Sequence, residues 1–191
     1  MPRNRYTLAA SIALLLTTLL PARAANVAVE HTVDVAGSRA QFSVTHVFVG
    51  HVTGTIPILH GTVTLARGSL IPIRAQATLD ARAIATGDPD RDAAMRSPDW
   101  FDTARFPMWA FTSTKIVAHG ATAFGMDGLL TMHGVTQSEH LDVTVGGDAE
   151  NPTYHAAGTI DRHAFGMKVT ILDPSIGNPV DVVLDIRLRP L

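Results

Sequence analysis

Histidine and aspartate side chains are the groups in this chain whose types could support metal binding or proton transfer. Nine histidines are present, and histidine is the commonest metal ligand in proteins. No two of them have the His-x-His or His-x-x-x-His spacing that brings two imidazoles to one ion. His46 and His51 lie five residues apart and would face opposite sides of a continuous strand. The sequence therefore predicts no metal site.

A short acidic segment could imitate the paired carboxylates of a general acid–base enzyme. Its members are Asp88, Asp90, Asp92, Asp99 and Asp102. Helix capping and solvation explain these aspartates more simply. The chain has no cysteine, which excludes a thiol nucleophile and a Cys-ligated metal, and it has no G-x-S-x-G motif. We expect no enzymatic activity, and a hydrolase or a metal-dependent enzyme is the least favoured alternative.

The composition is that of an ordinary globular domain, with 46% hydrophobic and 17% charged residues. The formal net charge is -2, whereas nucleic-acid-binding domains usually carry a basic patch. We therefore expect no nucleic acid among the partners.

The first 24 residues have the layout of a secretory signal peptide. Arg3 and Arg5 precede an apolar run over residues 7–20, and Ala22-Arg23-Ala24 follows as a small-x-small cleavage site. The run is shorter than the roughly 20 residues that a membrane-spanning helix needs. We predict cleavage after Ala24, one exported domain over residues 25–191, and a periplasmic or secreted location.

Alternation of apolar and polar residues recurs along the rest of the chain and predicts strands. Phe42, Val44 and His46 share one face of an early strand, and the odd-numbered residues from Ile71 to Ala85 share one face of another. Further apolar faces are formed by Trp109 and Phe111, by Leu141, Val143 and Val145, and by the even-numbered residues of 180–188. About eight such strands at hairpin spacing predict one antiparallel barrel or sandwich.

Glycine-containing turn signals separate the strands. They are Arg67-Gly68, His119-Gly120, Asp127-Gly128 and Gly146-Gly147-Asp148. Asp-Gly is a typical dipeptide of type I′ hairpin turns, because both central positions need positive φ. The sequence thus predicts a hairpin turn at Asp127-Gly128.

The alternation stops between Thr86 and Pro107. Asp88 can cap a short helix that begins at Pro89, where the missing N–H costs nothing. Ser97-Pro98 has the same arrangement of a capping residue followed by proline, and it predicts a second helical turn. Met95, Trp100 and Phe101 would then form the apolar side of an insertion that plugs one end of the barrel.

A ligand cavity is one of two interpretations of the residues predicted to face inward. Ala77 and Ala81 belong to a face with five alanines, and small side chains would leave space in an eight-stranded barrel. Alternatively, large side chains such as Phe42, Trp109 and Phe111 would fill it. The pattern alone leaves both interpretations open.

Four sequence blocks resemble the YceI family of exported lipid-binding proteins. They are Phe42–His46 with the following residues to Gly54, the helix segment from Arg91 to Asp102 that continues to Phe106-Pro107 and Phe111, the hairpin from Gly128 to Thr136, and the segment from Ile160 to Met167. The blocks occur in the family's order and cover most of residues 25–191. Gly37 and Ala94 depart from the pattern, since many members of the family carry histidine there.

The resemblance implies an all-β fold, an eight-stranded antiparallel lipocalin-like barrel with a short helical lid insertion. It implies a carrier or binding protein for a polyisoprenoid or a related isoprenoid lipid, such as a polyprenyl phosphate or a quinone, with no cofactor and no covalent chemistry. The residues predicted to line the lumen or the lid are Phe42, Val44, His46, Ala77, Leu79, Ala81, Arg91, Met95, Trp100, Phe101, Trp109 and Phe111.

Three of the polar side chains are candidates for contacts with a lipid head group. His46 lies on the apolar face of its strand, and Arg91 and Arg96 on the lid suit a phosphate by charge and geometry. The alternatives are a core histidine bonded to a backbone carbonyl or water, and, for Arg91 and Arg162, structural salt bridges to a nearby aspartate such as Asp92 or Asp161.

Two aspects of the function remain open at this point. A stress-response or interaction module with a solidly packed barrel is the main alternative to a lipid carrier. Transient contact with a membrane and dimerisation through exposed strand edges are both compatible with the sequence.

Overall fold

A computed structural model describes residues 28–148, 151–167 and 175–190. The predicted signal peptide lies outside these residues. The strands are β1 (Ala28–Val33), β2 (Arg39–His46), β3 (Gly50–Thr55), β4 (Ile58–Ala66), β5 (Pro72–Asp80), β6 (Met108–Ala118), β7 (Ala123–Met132), β8 (Val135–Gly147), β9 (Pro152–Asp161) and β10 (Ile176–Pro190), and the helix α1 is Pro89–Arg96. No helix in the described ranges has the length and apolar character needed to cross a membrane.

The strand segments form a closed antiparallel sheet. A 3₁₀ turn, Val35–Gly37, separates β1 from β2, and both pair with β10. β1 and β2 follow one another as one long bent strand. β3 and β4 form a second one, because β3 pairs with β2 and β4 pairs with β1. Together with β5 to β10 they make eight strands, and the pairing of β1 with β10 closes the barrel. The predicted eight-stranded antiparallel barrel is confirmed.

The helix begins where the sequence predicts. The carboxylate of Asp88 accepts hydrogen bonds from the backbone N–H groups of Asp90 and Arg91, and Pro89 is the first helical residue. The second predicted helical turn is wrong. Ser97 instead ends the helix, and its carbonyl accepts from the backbone N–H groups of Trp100 and Asp102 in a series of turns. Helix α1 ends there because Pro98 has no N–H with which to continue it.

The predicted hairpin turn at Asp127-Gly128 is also wrong, because both residues lie inside β7. Gly128 is required there for packing: a Cβ atom on it would lie 2.2 Å from Cζ of Phe111. The turn between β7 and β8 is instead His133-Gly134, with φ values of 53° and 74°. Two positive φ angles in a two-residue turn are the geometry expected of type I′.

The inward face predicted for residues 71–85 needs two corrections. The register between β4 and β5 shifts near Leu65, so that Pro72 is buried and Ile73 is 59% exposed. Strand β5 ends at Asp80, and the chain enters a 3₁₀ turn that leaves Ala83 and Ala85 exposed. A bulge shifts the alternation by one residue, and a simple parity argument cannot detect it.

Two clusters of buried side chains fill the ends of the barrel. Near α1, segments that connect the strands contribute Ile84, Phe101, Phe165 and Met167. The rings of Phe101 and Trp109 meet edge to face at 4.8 Å between centroids. The second cluster includes Leu65, Phe124, Tyr154 and Leu188. As predicted, the insertion around α1 covers one end of the barrel, and the space between the clusters is where a ligand could lie.

Candidate ligand cavity

The barrel encloses a cavity of about 180 Å³ between the two clusters. Its wall is built almost wholly from apolar side chains on opposite sides of the barrel. They include Val33, Ala40, Ile56, Val63, Pro72, Ala75, Phe124, Met126, Leu130, Leu141, Val143, Tyr154, Ala156, Val182, Leu184 and Ile186. An apolar space of this kind favours a hydrophobic ligand over a sugar or a nucleotide.

Five of the twelve residues predicted for the ligand site line this cavity. They are Phe42, Ala77, Leu79, Trp109 and Phe111. Ala75 and Ala77 present single methyl groups on β5, and Ala40 and Ala156 do so on β2 and β9. These small side chains help to leave the space open, while Phe111 lies against Gly128.

The other seven predicted residues lie elsewhere. Ala81 and Phe101 are buried in the cluster near α1, and Met95 packs against that cluster. Val44 and His46 lie towards the end of β2, next to the turn into β3. The last two, Arg91 and Trp100, belong to the insertion. The guanidinium carbon of Arg162 lies over the ring of Trp100, 5.6 Å from the ring centroid.

His46 makes a local contact in the hairpin. Its Nδ1 accepts a hydrogen bond of 3.3 Å from the backbone N–H of Phe48, and the two rings are 5.8 Å apart. His46 is only partly buried and accepts this bond from a backbone N–H, so it lies outside the cavity lining and also differs from the expected core histidine bonded to a backbone carbonyl or water.

Both lid arginines, Arg91 and Arg96, bond to the insertion or to the segment that joins it to β5. Arg91 donates from Nε to the hydroxyl of Thr86 at 2.9 Å and forms a long ion pair with Asp88. Arg96 donates to the carbonyl of Ile84 at 3.3 Å. The predicted partner Asp92 instead accepts from the backbone N–H and hydroxyl of Thr86, and these hydrogen bonds lower the pKa of its carboxyl.

Arg162 is 3% exposed and donates to the backbone carbonyls of Gly177 and Ile176 at 3.0 and 3.1 Å. These bonds join the turn after β9 to the start of β10. The predicted pairing partner, Asp161, caps that turn by accepting from the backbone N–H groups of His163 and Ala164. Arg162 thus has a structural role beside the insertion.

Trp109, one of the residues that line the cavity, carries a polar group without a hydrogen-bond partner among the described residues. Its indole N–H is buried and has no hydrogen-bond partner in the part of the chain that the structure describes. An unsatisfied buried donor of this kind costs about 1–3 kcal/mol.

Sequence reasoning missed the polar residues of the lining, which are Gln41, Gln76, His140, Thr159 and the acidic Glu139. Glu139 is the one of these that sequence alone could have indicated. It has the same parity on β8 as Leu141 and Val143, which are buried. A charged residue in an otherwise apolar alternation was therefore the available signal. Within the described residues no group of three or more His, Asp or Glu side chains is arranged to hold a metal ion.

Fold and cavity together define a class: a closed antiparallel barrel that encloses an apolar cavity and carries a helical insertion at one end. A family model described as the YceI-like domain matches residues 31–188. Because this match spans most of the sequence, the chain belongs to the YceI-like family.

Curated relatives extend over nearly the same length. The chain is 27% identical over 169 residues to Protein YceI of Escherichia coli O157:H7, covering 84% of this chain and 87% of that protein. It is 26% identical over 164 residues to a UPF0312 protein of Pseudomonas savastanoi pv. phaseolicola, with coverages of 82% and 85%.

Solved structures share the fold at lower sequence identity. Burkholderia cenocepacia BcnA superposes with a TM-score of 0.67 at 19% identity, covering 81% of this chain and 98% of that one. A polyisoprenoid binding domain from Saccharophagus degradans, implicated in plant cell wall breakdown, gives a TM-score of 0.65 at 16% identity, with coverages of 85% and 99%.

Proposed function

We propose that this protein binds an isoprenoid or a similar long apolar lipid in its barrel and carries it without covalent chemistry. The observation that carries the proposal is the cavity itself, which the barrel encloses with apolar side chains from opposite walls. The polyisoprenoid binding domain from Saccharophagus degradans, which has a similar fold, supports the choice of ligand class.

The cavity volume sets how much of a lipid fits without rearrangement. A cavity of about 180 Å³ is similar to the engineered apolar cavity of about 150 Å³ that binds benzene. It therefore accommodates a segment of an isoprenoid chain, and a longer lipid must widen the barrel or extend beyond the cavity. Each buried methylene contributes about 0.8 kcal/mol relative to water, so even a short segment gives measurable affinity.

Selectivity has to come from features other than tail burial. A bilayer solvates an isoprenoid tail as well as the cavity does, so tail burial largely cancels when the lipid leaves a membrane. Chain length and contacts with the head group then decide which lipid is carried. The polar groups on the wall are therefore more informative about specificity than the size of the apolar surface.

We further propose that the protein acts outside the cytoplasm, in the periplasm or as a secreted protein. The support is the basic, apolar and small-x-small order of residues 1–24. In that location a soluble carrier would shield an apolar lipid from water between membranes. Export can be tested by fractionating cells and measuring the mass of the N-terminus.

Native mass spectrometry of the exported protein, followed by denaturation and lipid analysis, tests the binding proposal directly. We expect a stoichiometric adduct with the mass of an isoprenoid lipid. If only the bare polypeptide is found, prenyl alcohols, quinones and prenyl phosphates are added back. Failure to bind any of them would favour the packed interaction module.

The location of the ligand is tested by replacing one alanine on the wall. Ala77→Phe should reduce lipid binding at least about tenfold, because the ring occupies the space that the methyl group leaves open. Ala83→Phe is the matched control, since Ala83 is exposed beyond the end of β5. Far-UV circular dichroism verifies that both variants fold. Unchanged lipid occupancy in a folded Ala77→Phe protein would place the ligand elsewhere.

A further inference from the structure

Glu139 is the one acidic residue among the described residues that line the cavity. It pairs across the ladder with Gly128, and the ring of Phe111 covers the position that a Cβ atom of Gly128 would take. Residues paired across a ladder point to the same face of a sheet. The Glu139 side chain therefore lies on the same face of the wall as Phe111.

The Glu139 carboxyl group has unused hydrogen-bonding capacity. It is partly buried, and among the described residues it makes no hydrogen bond or ion pair. Burial raises the pKa of this carboxyl, and the nearby Asp161 carboxylate raises it further. Both effects make negative charge unfavourable at this point of the wall.

The ladder between β8 and β9 is incomplete beside Glu139. Residues Asp142–Gly147 pair with Pro152–Ala157, and within the described ranges this pairing does not continue along 158–161. At Gly158 the two backbones touch, since a Cβ there would lie 2.5 Å from the carbonyl oxygen of His140. Beyond this contact the cavity lining includes Thr159 and Ile160. The cavity thus reaches a part of the wall that is not sealed by a continuous ladder.

The charges near this part of the wall are unfavourable for an anion. No lysine or arginine belongs to the described lining of the cavity. The ring of His140 contacts Asp127 at 2.6 Å and Asp142 at 3.5 Å, so two carboxylates already compensate any positive charge that it carries. A phosphate group placed here would meet Glu139 and Asp161 without a compensating arginine or lysine on the cavity wall.

We propose that Glu139 forms the polar subsite of the cavity and selects an uncharged isoprenoid head group over a phosphorylated one. A hydroxyl group donates a hydrogen bond to the carboxylate, and a carbonyl group accepts one from the protonated carboxyl. This inference rests on the proposed lipid-binding function, and it decides between the quinone-like and phosphate ligands that the sequence leaves open.

Farnesol and farnesyl monophosphate are suitable probes because they share one tail, so that the ratio of their affinities reports the head group alone. We expect the native protein to bind farnesol at least about tenfold more tightly than the phosphate. Glu139→Gln keeps the size and hydrogen bonding of the side chain but removes its charge. This variant should lower the ratio by strengthening phosphate binding several-fold.

Glu30→Gln is the matched control, because Glu30 is an exposed glutamate on β1 and lies outside the cavity lining. It should leave the affinity ratio unchanged. If the native protein binds neither probe, the proposed function itself fails. If it binds both probes with a ratio near one, or prefers the phosphate, the inference about Glu139 is overturned while lipid binding stands. An equal ratio in the native protein and a folded Glu139→Gln variant also overturns it.

Discussion

Tyr154 shows how one buried side chain joins the wall of the cavity to the turn at its far end. Its hydroxyl donates a 2.9 Å hydrogen bond to the carbonyl of Leu70, between β4 and β5. Burial raises the pKa of this phenol to about 12, whereas an exposed tyrosine in an unfolded chain titrates near 10. The stability that this neutral phenol contributes is therefore complete below about pH 10 and is lost as the pH rises through 12.

We predict that Tyr154→Phe lowers the free energy of unfolding by about 1 kcal/mol at neutral pH, where the hydrogen bond is intact. This difference from the native protein should shrink as the pH rises from 10 to 12, because only the native protein loses stability by exposing an ionising tyrosine. Urea unfolding at a series of pH values measures it. A difference that stays constant up to pH 12 would show that the phenol is not protected by burial.

Phe48 is the centre of an exposed apolar turn between β2 and β3. Phe48 is 80% exposed, and its neighbours Val47 and Val49 are 69% and 61% exposed. Three consecutive apolar side chains at the tip of a hairpin are unusual on a soluble surface and mark an interaction site. Under the proposed lipid-carrying function, we expect this turn to contact the surface of a membrane.

We predict that Phe48→Ser slows lipid transfer between vesicles by roughly tenfold, because the tip loses about 1.5–3 kcal/mol of apolar burial in the bilayer. Equilibrium binding of a soluble short-chain prenol should not change, since Phe48 is outside the cavity lining. Ile73→Ser is the control, because Ile73 is also exposed but lies on the barrel wall. Equal transfer rates in the two variants would show that the turn takes no part in lipid transfer.

In strand β7, Gly128 leaves room for the ring of Phe111. The Gly128→Ala methyl group would lie 2.2 and 2.4 Å from Cζ and Cε2 of Phe111 and 2.9 Å from the carbonyl oxygen of Thr112. Real Cβ atoms do not approach other atoms this closely, so the Phe111 ring must leave its position and β6 must shift. Overpacking of this kind usually costs about 1–3 kcal/mol.

We predict that Gly128→Ala lowers the free energy of unfolding by that amount and pushes the Phe111 ring into the cavity, so that lipid binding weakens as well. Gly177→Ala on β10 is the control, because its added methyl group would meet Thr45 at an ordinary 3.4 Å. Adding Phe111→Leu to Gly128→Ala should restore part of the lost stability, since the two positions are in contact. Additive effects in the double variant would contradict the proposed contact.

The alternation of apolar and polar residues correctly predicted the inward-facing side chains of the strands whose pairing is regular. It placed Phe42, Leu79, Trp109 and Phe111 on the inner wall, and the Asp88 cap located the start of α1. It failed where tertiary contacts override local preference. Asp127-Gly128 has the composition of a turn but is fixed in a strand by the ring of Phe111.

The candidate site was less predictable than the fold for a physical reason. Whether a side chain lines a cavity depends on bulges and on the partners of neighbouring residues, and neither follows from parity. Arg91 has the charge to bind a phosphate, yet Thr86 and Asp88 occupy its guanidinium. Glu139 could have been noticed as a charge on an apolar face, but its lack of a hydrogen-bond partner among the described residues is visible only in three dimensions.

The seam that closes the barrel runs along both β1 and β2, and the ladder between β1 and β10 is its shorter part. Strands β1 and β10 share three residue pairs, whereas β7 and β8 share ten. An ion pair between Asp34 and Arg189 and a 2.8 Å hydrogen bond from the backbone N–H of Asp34 to the carbonyl of Arg187 reinforce this seam. Local opening has its lowest free energy where the fewest contacts must break.

We predict that backbone amides at residues 31–34 exchange with deuterated solvent faster than those of the β7–β8 hairpin in the ligand-free protein. A bound prenol should slow exchange at the seam more than in the hairpin, because Val33 and Ile186, close to the seam, both line the cavity. Ligand that binds only the closed barrel suppresses opening by about 2.7 kcal/mol at a hundredfold excess over Kd. Ala77→Phe should abolish this protection, and protection that persists in that folded variant would mean that the lipid stabilises the seam from a site outside the cavity.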